Sequence, residues 1–228
     1  KQLREQRAAL VTSISFQEEK MAARANIVRK YASAEASARV SIICRYYGQI
    51  DGIIDGYIAR MTYTIMEEKE YNFRSQKGDL GVRVQSGGMY SDPTGKEGVL
   101  LEELEKAIRN CDFSGDILEG IDNPEEVISD ARTLHRMKVE HSLYSRQLGY
   151  LDKRDRFLYE QYLNHEVTLE EIAEKYNIQY NSAMRRIDRI KKVVMEEMLD
   201  ALSAIKSSST IEIVYTAEKN GGSAYGKQ

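Results

Sequence analysis

Between Tyr180 and Lys192 the sequence places Arg185, Arg186, Arg189, Lys191 and Lys192 against a single acid, Asp188, a local charge of +4. Guanidinium and ammonium groups at this density bind phosphate. Among them stand Gln179, Asn181 and Arg185, whose side chains can hydrogen-bond the edges of bases. The chemistry on offer is recognition of a polyanion with readable edges.

Bond-making chemistry is poorly served elsewhere. Pro93-Thr94-Gly95-Lys96 resembles a phosphate loop, but six residues separate Gly88 from Gly95 where that loop has four, and Glu97 stands where a hydroxyl would hold magnesium. His165-Glu166 lacks the second histidine of a zinc protease, and His135 and His141 are six apart, off the spacing that puts two ligands on one helical face. Glu102, Glu103 and Glu105 read as a solvated helix face. Cys44 and Cys111 stand apart with no CxxC partner and are expected to be ordinary buried thiols. No catalytic role, cofactor or metal is expected.

The basic cluster needs elements to present it, and the residues before it supply them. Asp152 is placed to cap a helix through Leu163, with Leu151, Phe157, Leu158 and Tyr162 on its buried side. Thr168 is placed to cap a short second helix, Leu169 to Tyr176, with Glu171 completing a capping box. Asn177 falls where a tight turn needs a left-handed residue, which asparagine tolerates best after glycine. A third helix starts near Tyr180 and runs through Met198. Ile172, Tyr176, Ile178, Ala183 and Ile187 are expected to lock the last two helices, with small Ala173 at their crossing. This is the pattern of a helix-turn-helix over residues 148–195. In that geometry Gln179, Tyr180, Asn181, Met184 and Arg185 face the major groove, and Arg186, Arg189 and Lys192 contact phosphates. Thr168, at the start of the shorter helix, would offer backbone N–H groups to a phosphate.

The rest of the chain argues for a mostly α fold. Only 2 prolines interrupt 228 residues, and periodic turn residues are lacking. The expected layout is a helical amino-terminal domain over 1–77, a glycine-rich linker over 78–99, a helical carboxy-terminal domain over 100–206 and a flexible tail over 207–228. One or two long helices are expected from Gln17 to Tyr71, with Gly48, Gly52 and Gly56 on one side suited either to a small-residue seam against a partner helix or to plain intramolecular packing. A hairpin around Val82, Arg83 and Val84, a helix from Leu100 to Asn110, another beginning at Pro124, and a strand-like alternation at Ile211 to Tyr215 complete the reading. No apolar run approaches the roughly 20 residues of a membrane span, so a cytoplasmic location is expected.

The net charge of -3 excludes a general phosphate binder, because nonspecific attraction needs an excess of cations. By region, residues 1–60 carry 10 basic against 6 acidic groups, 61–150 carry 11 against 17, and 151–228 carry 12 against 13. Any affinity for nucleic acid must therefore be local.

Leu151-Asp152-Lys153-Arg154-Asp155-Arg156, Thr168-Leu169-Glu170-Glu171-Ile172-Ala173 and Ser182 through Arg189 resemble region 4 of bacterial sigma factors, which binds an upstream promoter element and the polymerase flap. Asp79 through Gln85, followed by Ser91-Asp92-Pro93-Thr94, resembles the segment before the sigma-like domain in phage transcriptional activators of the ArpU and RinA type. Met184 and Arg185 depart from the sigma pattern, so no base preference carries over. No melting domain is recognisable. The resemblance implies a phage-type regulator that binds double-stranded promoter DNA sequence-specifically, acts with bacterial RNA polymerase, and forms a homo-oligomer, with no membrane partner. Two alternatives stand beside it. One is a DNA-binding packaging protein like a small terminase subunit, and the other a sigma-like module that binds polymerase without reading DNA.

Overall fold

Uninterrupted backbone N–H groups and apolar residues at spacings of three and four make helices along most of the described residues. The computed structural model describes residues 26–76 and 93–221, and among these no strand occurs. The helices are α1 over residues 26–33, α2 Ala36–Tyr46, α3 Ile50–Gln76, α4 Pro93–Asn110, α5 Pro124–Leu148, α6 Lys153–Leu163, α7 Leu169–Lys175 and α8 Tyr180–Gly221. A 3-10 turn, Tyr47–Gln49, joins α2 to α3. Among the described residues no helix is long and apolar enough to cross a membrane.

Two compact units form, and they are not successive halves of the chain. The described parts of Lys1–Ser33 and Gln49–Val139 make the first, and those of Ala34–Gly48 and Glu140–Gln228 make the second. This differs from the expected division at 77 and 100. The physical reason lies in α2, whose buried side chains Val40, Ile43 and Cys44 belong to a core with α6 and α8.

In the first unit α3 packs on α4, with Ile54, Tyr57, Ile58, Met61 and Ile65 on one side and Leu104, Ala107 and Ile108 on the other. Tyr57 Oη donates to Asp130 Oδ2 at 2.6 Å, tying α3 to α5. Asn72 Nδ2 donates to the Gly120 carbonyl at 3.0 Å, and the Asp122 N–H donates to Glu68 Oε1 at 2.7 Å. The loop between α4 and α5 is thereby fastened to α3.

In the second unit α8 packs on α2 and α7, and α6 touches both α2 and α8. Val40, Ile43, Leu158, Leu163, Ile172, Ile187, Ile190, Val194 and Met198 are buried there. Tyr144 and Tyr159 share a hydrogen bond of 3.1 Å between their hydroxyls, and the Cys44 thiol lies 3.5 Å from Tyr159 Oη. Gly48 lies close to Asn164: a Cβ there would be 2.8 Å from Asn164 Oδ1, so that side chain would have to shift.

Several expectations are corrected. Where one or two helices are expected over Gln17–Tyr71, of which 17–25 lie outside the described residues, three occur, separated at Ala34–Glu35 and at the 3-10 turn. Intrinsic propensity favours continuity through the alanines, but Arg39 Nη1 donates to the Ala34 carbonyl at 3.1 Å and holds the break open. Gly52 is exposed and has open space where a side chain would project, so it makes no close approach to another helix among the described residues. Of the expected linker 78–99, residues 78–92 lie outside the described residues, and from Pro93 the chain is already in α4, seven residues before the expected start. The Val82-Arg83-Val84 hairpin lies outside the described residues. Ile211 to Tyr215 is helical, because α8 continues to Gly221 through the region read as a tail.

Candidate nucleic-acid interface

The elements before the basic helix are set by caps. Asp152 accepts from the N–H groups of Arg154, at 2.7 Å, and Asp155, at 3.2 Å, which start α6. These backbone donors, Arg154 first, hold the Asp152 carboxyl below the usual carboxylate range. At α7 the capping box is complete: Glu171 N–H donates to Thr168 Oγ1 at 3.2 Å, and Thr168 N–H donates to Glu171 Oε2 at 2.8 Å.

Asn177 ends α7 with φ 50°. Its N–H donates to the Glu174 carbonyl at 3.1 Å and that of Ile178 to the Ala173 carbonyl at 2.9 Å, the paired bonds of a Schellman closure. Gln179 then begins the next helix, its carbonyl accepting from Ser182 at 2.8 Å and Ala183 at 3.1 Å. Three residues thus separate the end of α7's cap from α8.

Ala183, Ile187, Ile190 and Val194 are buried and fix which side of α8 faces inward. Asn181, Arg185, Asp188, Arg189 and Lys192 are exposed and fall opposite, at spacings of three and four. Gln179 and Tyr180 are exposed at the amino-terminal end. Arg185 and Arg189 have no ion pair among the described residues, and Lys192 has an exposed one with Glu196 at 3.8 Å. An exposed pair of that length contributes little and leaves the ammonium available.

Two of the assigned residues are used differently from expectation. Arg186 turns away from the exposed stripe: Nε and Nη2 donate to Asp155 Oδ1 at 3.1 and 2.5 Å, and the guanidinium sits 5.0 Å over the Tyr176 ring. It is a half-buried strut joining α8 to α6 and to the end of α7. Charge alone grouped it with its neighbours; its position on the helix, flanking the buried row, was the signal that sets it apart. Thr168 is likewise occupied, since both its hydroxyl and its N–H serve the capping box. Glu170 and Glu171 in the same first turn oppose an approaching phosphate. With Arg186 paired to Asp155, the exposed charge is Arg185, Arg189, Lys191 and Lys192 against Asp188, a net +3.

The packing beneath also differs in detail. Phe157 is 56% exposed, with Lys175 Nζ 5.7 Å from its ring centroid, and Tyr159 occupies the core position instead. Tyr176 and Ile178 lie at the rim, while Ile172 and Ala173 carry the contact with α8.

The arrangement can present a rod of cationic and amide side chains to an anionic surface with a groove wide enough for a helix. Neither a protein-family model, nor a curated protein, nor a solved structure matches this chain.

Proposed function

We propose that this chain is a phage-type transcriptional regulator in which α7 and α8 form a helix-turn-helix, with α8 entering the major groove of promoter DNA. The observation that carries the reading is the exposed row Asn181, Arg185, Arg189 and Lys192 on a helix that directly follows a three-residue turn. Asn181 and Arg185 lie in the first turns, where a recognition helix reads bases, while Arg189 and Lys192 are placed for phosphates. The likeness to sigma region 4 and to ArpU and RinA activators extends the proposal to joint action with bacterial RNA polymerase. One such helix covers too little surface for tight specific binding, so the active species is proposed to be a homo-oligomer on repeated half-sites.

Footprinting on phage late-promoter DNA, with and without host polymerase, tests this. A protected site near the promoter, extended or strengthened by polymerase, supports the reading. Protection that is absent in both conditions removes it.

A second reading, a sigma-like module that binds polymerase without touching bases, is favoured by exposed Phe157 and Tyr176 with Lys175 between their rings. It requires polymerase binding that survives neutralisation of Arg185, Arg189 and Lys192 and no protected DNA without polymerase.

A further inference from the structure

The amino-terminal end of α8 exposes apolar side chains beside its polar row. Tyr180 is 45% exposed and Met184 39%, and Ile178 in the turn before them is 36% exposed. Tyr180 and Met184 are four residues apart and share a helical face; Asn181 and Arg185 repeat that spacing one residue along. Two parallel rows result, one apolar and one able to hydrogen-bond.

That pairing narrows the partner. A purely apolar surface would cover Met184 but strip water from Asn181 and Arg185 without replacing its hydrogen bonds. A row of phosphates would satisfy Arg185 and leave Met184 against water. An A·T pair in the major groove offers both kinds of contact at once, adenine N7 and N6 for an asparagine and the thymine C5 methyl for an apolar side chain. The net +3 of the exposed face suits the flanking backbone.

We propose that Met184, flanked by Tyr180, reads thymine through its C5 methyl group, so that the DNA site of this chain holds thymine under the first two turns of α8. This rests on the DNA-reading proposal above. Leu and Ile of the core cannot serve in this way because they are buried; Met184 is the long, flexible thioether placed outside, able to follow a methyl group without a fixed rotamer.

Duplexes enriched by the full chain from a randomised pool supply the probe. Each thymine of the enriched site is then replaced singly by deoxyuridine, which keeps the pairing edge and O4 and removes only the methyl. The expected result is a loss of about fourfold in affinity at one or two positions, the transfer value of one buried methyl. The same replacement should change the affinity of Met184→Gln by less than about twofold. Glutamine keeps the length and helix propensity of methionine, and the residue is exposed, so the variant folds. Deoxyuridine that is neutral everywhere, an enriched site without thymine, or an equal loss in parent and Met184→Gln would each overturn the proposal while leaving DNA reading intact. A pool from which no duplex is enriched, by the chain alone or together with host polymerase, overturns DNA reading itself, and this proposal with it.

Discussion

Arg39 and Glu140, 101 residues apart, form a buried two-pronged ion pair: Arg39 Nη2 donates to Glu140 Oε1 at 2.8 Å and Nε donates to Oε2 at 3.0 Å. Their side chains are 9% and 6% exposed. The pair fixes α2 against α5 inside the unit that holds α8, and the same guanidinium closes the Ala34 carbonyl at the start of α2. The basic face of α8 is therefore supported by a residue far outside the candidate interface, since α2 is one of the helices on which α8 rests.

Removing one partner of this pair should be costly. Arg39→Met leaves the Glu140 carboxylate buried without its counter-charge, and denaturant unfolding should show a loss of about 3–5 kcal/mol. Replacing both, as Arg39→Met with Glu140→Leu, should recover most of it, because the desolvation cost disappears along with the attraction. Equal losses in the single and double variants would mean that the attraction within the pair outweighs its desolvation cost, so that the pair itself holds α2.

Much of the second unit was legible because its elements are local. Ala183, Ile187, Ile190 and Val194 repeat at helical spacing, Thr168 and Glu171 sit three apart, and only asparagine among residues 176–179 suits a left-handed turn. The choice between Phe157 and Tyr159 was not local. Tyr159 is buried because its hydroxyl meets Tyr144 and Cys44, the latter 115 residues away, and nothing in the 11 residues of α6 announces those partners. The ion pair of Arg186 is hidden from the sequence for the same reason: its partner Asp155 lies 31 residues earlier, across two turns. The break at Ala34–Glu35 likewise depends on Glu140 holding Arg39.

Among the described residues, three helices end on left-handed residues that are not glycine: Cys111 at φ 54°, His165 at φ 59° and Asn177 at φ 50°. Each makes the two hydrogen bonds of a Schellman closure, for example His165 N–H to Tyr162 at 3.1 Å and Glu166 N–H to Gln161 at 2.9 Å. A side chain other than asparagine or aspartate costs about 1–2 kcal/mol in this conformation, partly offset by the chain entropy that glycine would lose on folding. His165→Gly and Cys111→Gly should each raise stability by about 0.5–1 kcal/mol in thermal or denaturant melts. Asn177→Gly should gain less, whereas Asn177→Val should lose more than about 1 kcal/mol.

Stability should fall in strong alkali. Burial, then the hydrogen bond to Asp130, pushes the Tyr57 hydroxyl up from 10.0 to about 12. Burial first also raises Tyr144 and Tyr159. A group that holds its proton more tightly when folded contributes stability that is complete below the unfolded value and is lost as pH rises through the folded one. Unfolding free energy should therefore be flat with respect to tyrosine up to pH 10 and decline from there towards 12. Tyr57→Phe should make that decline shallower while lowering the plateau by about 1 kcal/mol, since Asp130 loses its donor. An unchanged slope in Tyr57→Phe would show that the hydroxyl titrates normally.

Arg186 and Arg189 should separate cleanly when each is replaced by alanine. Arg186 is held by Asp155 and stacked on Tyr176, so its loss removes a half-buried ion pair and a cation–π contact, together about 1 kcal/mol of stability. Because its charge is already neutralised, the dependence of DNA affinity on salt should keep its slope. Arg189 is exposed with no ion pair among the described residues, so Arg189→Ala should leave stability within about 0.5 kcal/mol and reduce the slope of log affinity against log salt by about one. Titrations of duplex DNA at several salt concentrations, paired with melts of the same variants, measure both quantities. Arg186→Ala flattening the slope as much as Arg189→Ala would mean that the Asp155 pair opens on DNA and frees the guanidinium for a phosphate. A slope unchanged in both variants would place the bound DNA, if any, on another face.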